Sequence, residues 1–398
     1  MYSVVVAFGL ASVMLCIGMA IRAKVKFFQH MLMPVSVIGG ILGFILMNLV
    51  LSKYPVGGVS VTDFSNIVDV FFVMSFISIG LTGSKKKKNK KTEDGKKKKS
   101  SGPVRGAIGM ALIWCILYAL QPLVGILIVS ITGKAFHMDS MYGILVPFAF
   151  CQGPGQASTY GRLFEYTYGF DKAEMVALTY AIFGFLSAFL IGVPFARYGL
   201  KKGLARNKSK INEAVERGYF VPEEQREPLG KSTFHSANIE TAAAHFAIMG
   251  VCYLLALVLA KLVNFIPALG STFSAMLFMW GMFAAYIVKA VMRKLNIEYL
   301  INNAFQSRIT GFLSDYLVVC AFMASSETGL FRFYLPVLQA VLLRFSSACS
   351  LENVLAVTTI SSGCWVYSVQ APVQHQAVYH CSVWLTRSYR HQPVRNWA

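Results

Sequence analysis

The chain has 398 residues, 56% of them hydrophobic and only 14% charged, with a mean hydropathy of +0.56. A soluble globular domain is nearer half apolar and a quarter charged, whereas several apolar stretches here exceed the roughly 20 residues that cross a bilayer core. The net charge of +19 does not point to nucleic acid, because ten lysines (Lys85 to Lys88, Lys90, Lys91 and Lys96 to Lys99) crowd one loop with no aromatic residue interleaved for base stacking.

The pattern is that of an all-α polytopic membrane protein in the lipid bilayer, whose Lys-rich loop most simply marks a solvated cytoplasmic loop, with contact to anionic headgroups as the alternative. The opening stretch, "MYSVVVAFGLASVMLCIGMAIRAKVK", has no basic region before its apolar part and no cleavage site, so it reads as a retained span. Spans are expected near 3–21, 31–51, 65–83, 107–132 and 174–197, then 241–263, 273–292, 312–330 and 333–345. Basic segments follow the first, third and fifth of these, while the intervening loops "SKYPVGGVSVTDF" and "TGKAFHMDSM" carry one Lys each. Positive charge is retained inside, which puts the N-terminus outside and makes loop 84–105 and linker 198–240 cytoplasmic.

This divides the chain into a five-span half over 1–200, a cytoplasmic linker over 201–240, a second half over 241–345 and a tail over 346–398. A first half that starts outside and a second that starts inside are inverted in topology, an arrangement common in secondary transporters.

Between the fourth and fifth spans, residues 143–162 are too long and apolar for an ordinary loop, yet a full crossing would reverse every basic loop. A re-entrant segment satisfies both constraints, with its turn buried in protein or lining a wet cavity. The break falls at Gln152-Gly153-Pro154-Gly155-Gln156-Ala157-Ser158-Thr159. Gly153 and Gly155 allow a turn and close approach to a ligand, and Pro154 removes an amide donor. Gln156, Ser158 and Thr159 offer neutral oxygens, and freed carbonyls suit a cation such as sodium. A surface loop stiffened by Pro and Gly is the bland alternative.

Supporting features lie in the earlier spans. Pro34, Gly39 and Gly40 in "MPVSVIGGILGF" permit close helix packing or an interrupted helix beside a site. Asp69, Ser75, Ser78 and Gly80 lie in the third span, where an intramembrane carboxylate is a functional candidate. Glu165, Asp171 and Glu174 follow the break and are expected on the wet outer face. No His/Glu metal pair or nucleophile–base pair falls at membrane depth, which argues against an intramembrane enzyme; no metal site is expected.

In order and placement these stretches resemble the glutamate:sodium symporter family. Met33-Pro34-Val35-Ser36-Val37-Ile38-Gly39-Gly40 is similar to that family's "PxPVxGG" stretch, and Met74-Ser75-Phe76-Ile77-Ser78-Ile79-Gly80-Leu81 to its "FFxxIGL" stretch. Gly153-Pro154-Gly155-Gln156-Ala157-Ser158, ahead of Tyr168-Gly169-Phe170, resembles its "GGxGT" loop and following "YGF"; 173–200 looks like its fifth span. The resemblance covers roughly 1–345. It implies a homodimeric, sodium-coupled symporter of glutamate or a related amino acid or carboxylate, with two re-entrant hairpins, alternating access and no cofactor beyond the coupling ion. Gly153 to Thr159 would then line the substrate and sodium site. Pro154 and Gln156 stand where the family has a second Gly and a Thr, which leaves the choice of substrate open.

After 345 the resemblance stops. Residues 346–398 contain no Lys, Phe or Met, but three of the five Trp (365, 384, 397), three of the eight Cys and three of the seven His. A tail read in a shifted frame would look like this; a genuine divergent cytoplasmic or external tail is the alternative. The second hairpin and last span are then missing, the second half is incomplete, and a chain in this form is expected not to sustain uptake. A channel-like or scaffolding membrane protein is the competing class.

Overall fold

The structure, a computed structural model, describes residues 2–51, 57–82, 102–136, 138–201, 213–221, 228–266 and 270–325. The Lys-rich stretch, the ninth expected span at 333–345 and the tail 346–398 lie outside the described residues. The described residues form helices and turns, without strands.

Helix α1 (Tyr2–Lys24) is apolar nearly all round, yet only Ala7, Ala11, Met14 and Gly18 are buried. These recur every three to four residues and form a narrow close-packing stripe, while Val5, Val13 and Ile17 stay exposed. The stripe packs on α3 (Val35–Ile45), which follows the short α2 (Lys26–His30). The crossing is close: a Cβ on Gly39 would lie 2.6 Å from the Met14 carbonyl oxygen, and one on Gly18 would lie 2.8 Å from that of Val35. Helix α3 starts immediately after Pro34, whose extended ψ of 149° sets the entry angle, and runs on as a π-helical turn over Leu46–Leu51.

Helix α4 (Val61–Leu81) is fixed at its start by Asp63, which accepts from Ser60 N at 2.9 Å and from Ser3 Oγ at 3.0 Å. Helix α5 (Gly102–Thr132) is the longest helix described.

After α5 the chain turns back on itself. A 3₁₀ turn (Ser140–Leu145) leads into α6 (Val146–Phe150), and α7 (Pro154–Arg162) returns. Gly143 abuts Gly125 of α5, while Cys151 at the turn reaches Gln121, one helical turn deeper. On the way back Tyr160 stacks on Phe148 at 3.8 Å, and Gly161 meets the backbone of Glu174. Tyr142 and Phe170 close the open end, 5.4 Å apart, and the Tyr142 hydroxyl donates to Asp171 O at 2.7 Å. The segment therefore enters and leaves at the same end of α5.

Helices α8 (Ala173–Ser187) and α9 (Val193–Lys201) are continuous through a π-helical turn at Ala188–Gly192. Pro194 explains that turn: it lacks the amide that would bond the carbonyl of residue 190, and the wider turn absorbs the missing bond.

In the linker, the one-turn α10 (Glu213–Arg217) docks on the first half. Glu216 meets His30 Nδ1 at 3.1 Å and Arg197 Nη2 at 3.0 Å. The second half contributes α11 (Thr241–Val263), α12 (Gly270–Ala275), α13 (Leu277–Lys294) and α14 (Asn303–Met323). Helix α14 packs between α3 and α4, so the two halves share one core.

Among the described residues five helices are long and apolar enough to cross a membrane: those at Tyr2–Lys24, Val61–Leu81, Trp114–Ile131, Ala173–Tyr198 and Thr241–Val263. Helix α14 begins at 303 rather than at the expected 312. Its first half carries Gln306, Thr310 and Ser314, all buried against other helices. Hydropathy alone shifts such a span toward its apolar C-terminal part. Its start is set by Asn302, whose Oδ1 accepts from Ala304 N and Phe305 N, both at 3.0 Å.

Candidate functional site

The break at residues 152–159 is shorter than the sequence implies, because the helix resumes at Pro154. Gly153 takes φ +85°, in the left-handed region that glycine tolerates, and Pro154 occupies the first helical position, where its missing amide costs nothing. Only 151–153 are non-helical, and Gln156, Ala157, Ser158 and Thr159 stand on α7. The turn lies level with the middle of α4, since Gly155 rests on the ring of Phe72. The amide oxygens of Gln152 and Gln156 at this turn are buried without a hydrogen-bond partner, and such orphans carry a desolvation cost that a ligand would relieve. Thr159 turns its hydroxyl inward to Gly155 O at 3.0 Å.

Ser158 and Arg162 are one turn apart on one face of α7. Ser158 Oγ lies 2.8 Å from Asp69 Oδ1 of α4 and 2.6 Å from Glu174 Oε1 of α8. A hydroxyl has one proton, so it donates to one carboxylate at a time. Arg162 joins the same two groups: its Nη1 pairs with Asp69 Oδ2, and its Nε is 2.9 Å from Glu174 Oε1, an ion pair without an aligned hydrogen bond. Arg162 Nη2 also reaches Asn66 Oδ1 at 3.4 Å. Two carboxylates and one guanidinium thus fasten the returning arm to two spans.

The structure brings Asp69 to Ser158 beside the 153–159 turn and leaves the candidates of α3 and the rest of α4 elsewhere. Gly40 faces Phe322 and Gly80 faces Ala285, both at helix crossings. Ser75 bonds back to Phe72 O at 2.7 Å within its own helix. Ser78 belongs to a separate buried network: it meets Thr310 Oγ1 at 2.7 Å and accepts from Gln306 Nε2 at 2.9 Å.

Glu174, expected on the wet outer face, points into the protein with 14% of its side chain exposed, because Ser158 and Arg162 hold it there. Arg162 was not singled out by the sequence; its spacing from Ser158 was the available signal. His245 is buried at the start of α11, where Nδ1 meets Thr241 O at 2.7 Å and Nε2 accepts from Asn302 N at 3.0 Å. Among the described residues no group of three or more His, Cys, Asp or Glu converges for a metal ion.

The family model described as "Sodium/glutamate symporter" matches residues 2–355, most of the chain. The chain belongs to the sodium/glutamate symporter family. The membership agrees with the multi-pass, all-helical architecture among the described residues. Curated relatives named sodium/glutamate symporter, from Escherichia coli (strain K12) and Shigella flexneri, are each 25% identical over 253 residues, covering 63% of this chain and 56% of theirs. The chain therefore matches little more than half the length of those family members. No solved structure matches.

Proposed function

We propose that this chain is a sodium-coupled symporter of glutamate or a closely related amino acid or carboxylate. In this reading it is a homodimer in the cell membrane, with its N-terminus outside and the Lys-rich loop and linker cytoplasmic, and it works by alternating access. The observation that carries the reading is the hairpin turn, placed level with the middle of α4 and holding the unpartnered amide oxygens of Gln152 and Gln156. The N-terminus of α7 opens at the same point, and the positive end of a helix dipole at mid-membrane favours an anionic substrate group. Residues Gly153 to Thr159 are the proposed substrate and sodium contacts, and neutral oxygens with turned backbone suit an alkali cation. The Asp69–Ser158–Arg162–Glu174 cluster holds the hairpin in position for both.

The test is uptake of labelled glutamate into proteoliposomes containing the purified chain. Accumulation that follows an imposed sodium gradient supports the reading; accumulation indifferent to sodium overturns it. A second reading, a non-transporting form of the same family, is favoured by the family match ending at 355 and the altered composition of 346–398. It predicts sodium-dependent protection of the protein by glutamate without uptake.

A further inference from the structure

One carboxylate of the linker reaches two helices of the first half. Glu216 of α10 places its Oε1 3.1 Å from His30 Nδ1 on α2 and 3.0 Å from Arg197 Nη2 on α9. A third basic group meets the same short helix from α1. Arg22 Nη2 reaches Val215 O at 3.5 Å, and the chain leaves α10 through Gly218, at φ +84°, where a Cβ would lie 2.7 Å from Arg22 Nη1. Ala214 is buried in this contact, while Val215 beside it is exposed. A single helical turn is far too short to be stable alone in water, so α10 owes its order to its docking.

The basic groups differ in kind. A guanidinium keeps its charge at any ordinary pH, so Arg22 and Arg197 are permanent partners. Histidine is the side chain whose charge changes between about pH 5 and 8, and His30 is 71% exposed, open to protons from the surrounding solution. The other charged groups on the elements packed here are Lys24 of α1, Lys26 of α2, and Glu213 and Arg217 of α10, the last lying 5.7 Å from the Tyr219 ring centre. Glu216 Oε1 is therefore shared between one fixed cation and one that depends on pH.

We propose that His30, Glu216 and Arg197 form a pH-sensitive latch for the linker, docked while His30 is protonated and loosened as it loses its proton. The sign follows from the pair: the charge attraction is present on the acid side and falls away as pH rises. A neutral ring with its hydrogen on Nδ1 still donates to Glu216, and Arg197 stays, so release is partial. The inference stands apart from the symport reading and is tested without transport.

The experiment is maleimide labelling of Ala214→Cys in the purified full chain, with its own cysteines replaced. Val215→Cys, exposed whether or not α10 is docked, corrects for the reactivity of the thiol itself. The ratio of the two rates is expected to rise about two- to fivefold, as suits an exposed ion pair, between about pH 5.5 and about pH 8.5. His30→Gln should flatten that profile, and His30→Arg should hold the ratio low throughout. Glu216→Gln should give the high ratio even in acid. Tryptic cleavage after Arg217, compared at each pH with His30→Arg, reads the same release should Ala214→Cys itself disturb docking. A wild-type ratio and cleavage that ignore pH overturn the latch, as does a pH dependence that survives His30→Gln.

Discussion

Arg162 on the returning arm of the hairpin pairs with Asp69 on α4, and with Glu174 it closes a cluster around one hydroxyl. Replacing Arg162 by Gln leaves two carboxylates facing each other across Ser158. The pair is partly exposed, so the cost falls between that of surface and buried ion pairs, about 1–3 kcal/mol. The double variant Arg162→Gln/Asp69→Asn removes one of the repelling charges and should recover at least half of the loss. Thermal unfolding of the two single variants and the double variant measures this; strictly additive effects would show the groups to be uncoupled.

The α1–α3 crossing predicts a sharp contrast between two glycines. Gly39→Val forces a branched side chain against the Met14 carbonyl, at about 1–3 kcal/mol or more. Gly9, on the same pair of helices, has open space where its Cβ would be, so Gly9→Ala should leave the folded yield and unfolding midpoint near wild type. Expression yield and melting temperature in detergent distinguish them.

Two serines three residues apart in α4 should behave differently. Ser78→Ala strips a buried partner from Gln306 and Thr310 and should cost about 1–3 kcal/mol. Ser75 bonds only within its own helix, so Ser75→Ala should cost under about 1 kcal/mol. Equal losses in the unfolding midpoint would place no special weight on the inter-helix network.

The proposed orientation is tested by cysteine labelling. A membrane-impermeant maleimide applied to intact cells should label Asp139→Cys, and should label Lys231→Cys only after permeabilisation. The background is a chain with its own cysteines replaced. The opposite pattern inverts the topology.

The all-helical, multi-pass character was legible because apolar runs of about 20 residues speak directly to bilayer thickness. Asp69 stood out as a carboxylate in a span, and Ser158 as a polar residue in a break. Their meeting was not legible: they are 89 positions apart, and only the fold of the hairpin onto α4 joins them. Glu174 read as surface because it follows a loop, yet it turns inward once Arg162 supplies a charge to meet it. Helix α14 was displaced for a similar reason, since its polar first half is buried by hydrogen bonding rather than by hydrophobicity. The helical part of "GPGQAST" was hidden behind Gly and Pro, which in this order form a helix start as readily as a break.

The position of α14 also bears on the order in which the protein is made. Leu317, Val319 and Cys320 complete the same core as Ala7, Phe64 and Phe72. Helices α1 to α9 therefore emerge from the ribosome with a vacant slot along α3 and α4, which fills only after residue 323 has been synthesised. Until then Gly40 and Ser78 face lipid or a chaperone in place of Phe322 and Gln306. A nascent chain arrested in the linker would be inserted but not assembled.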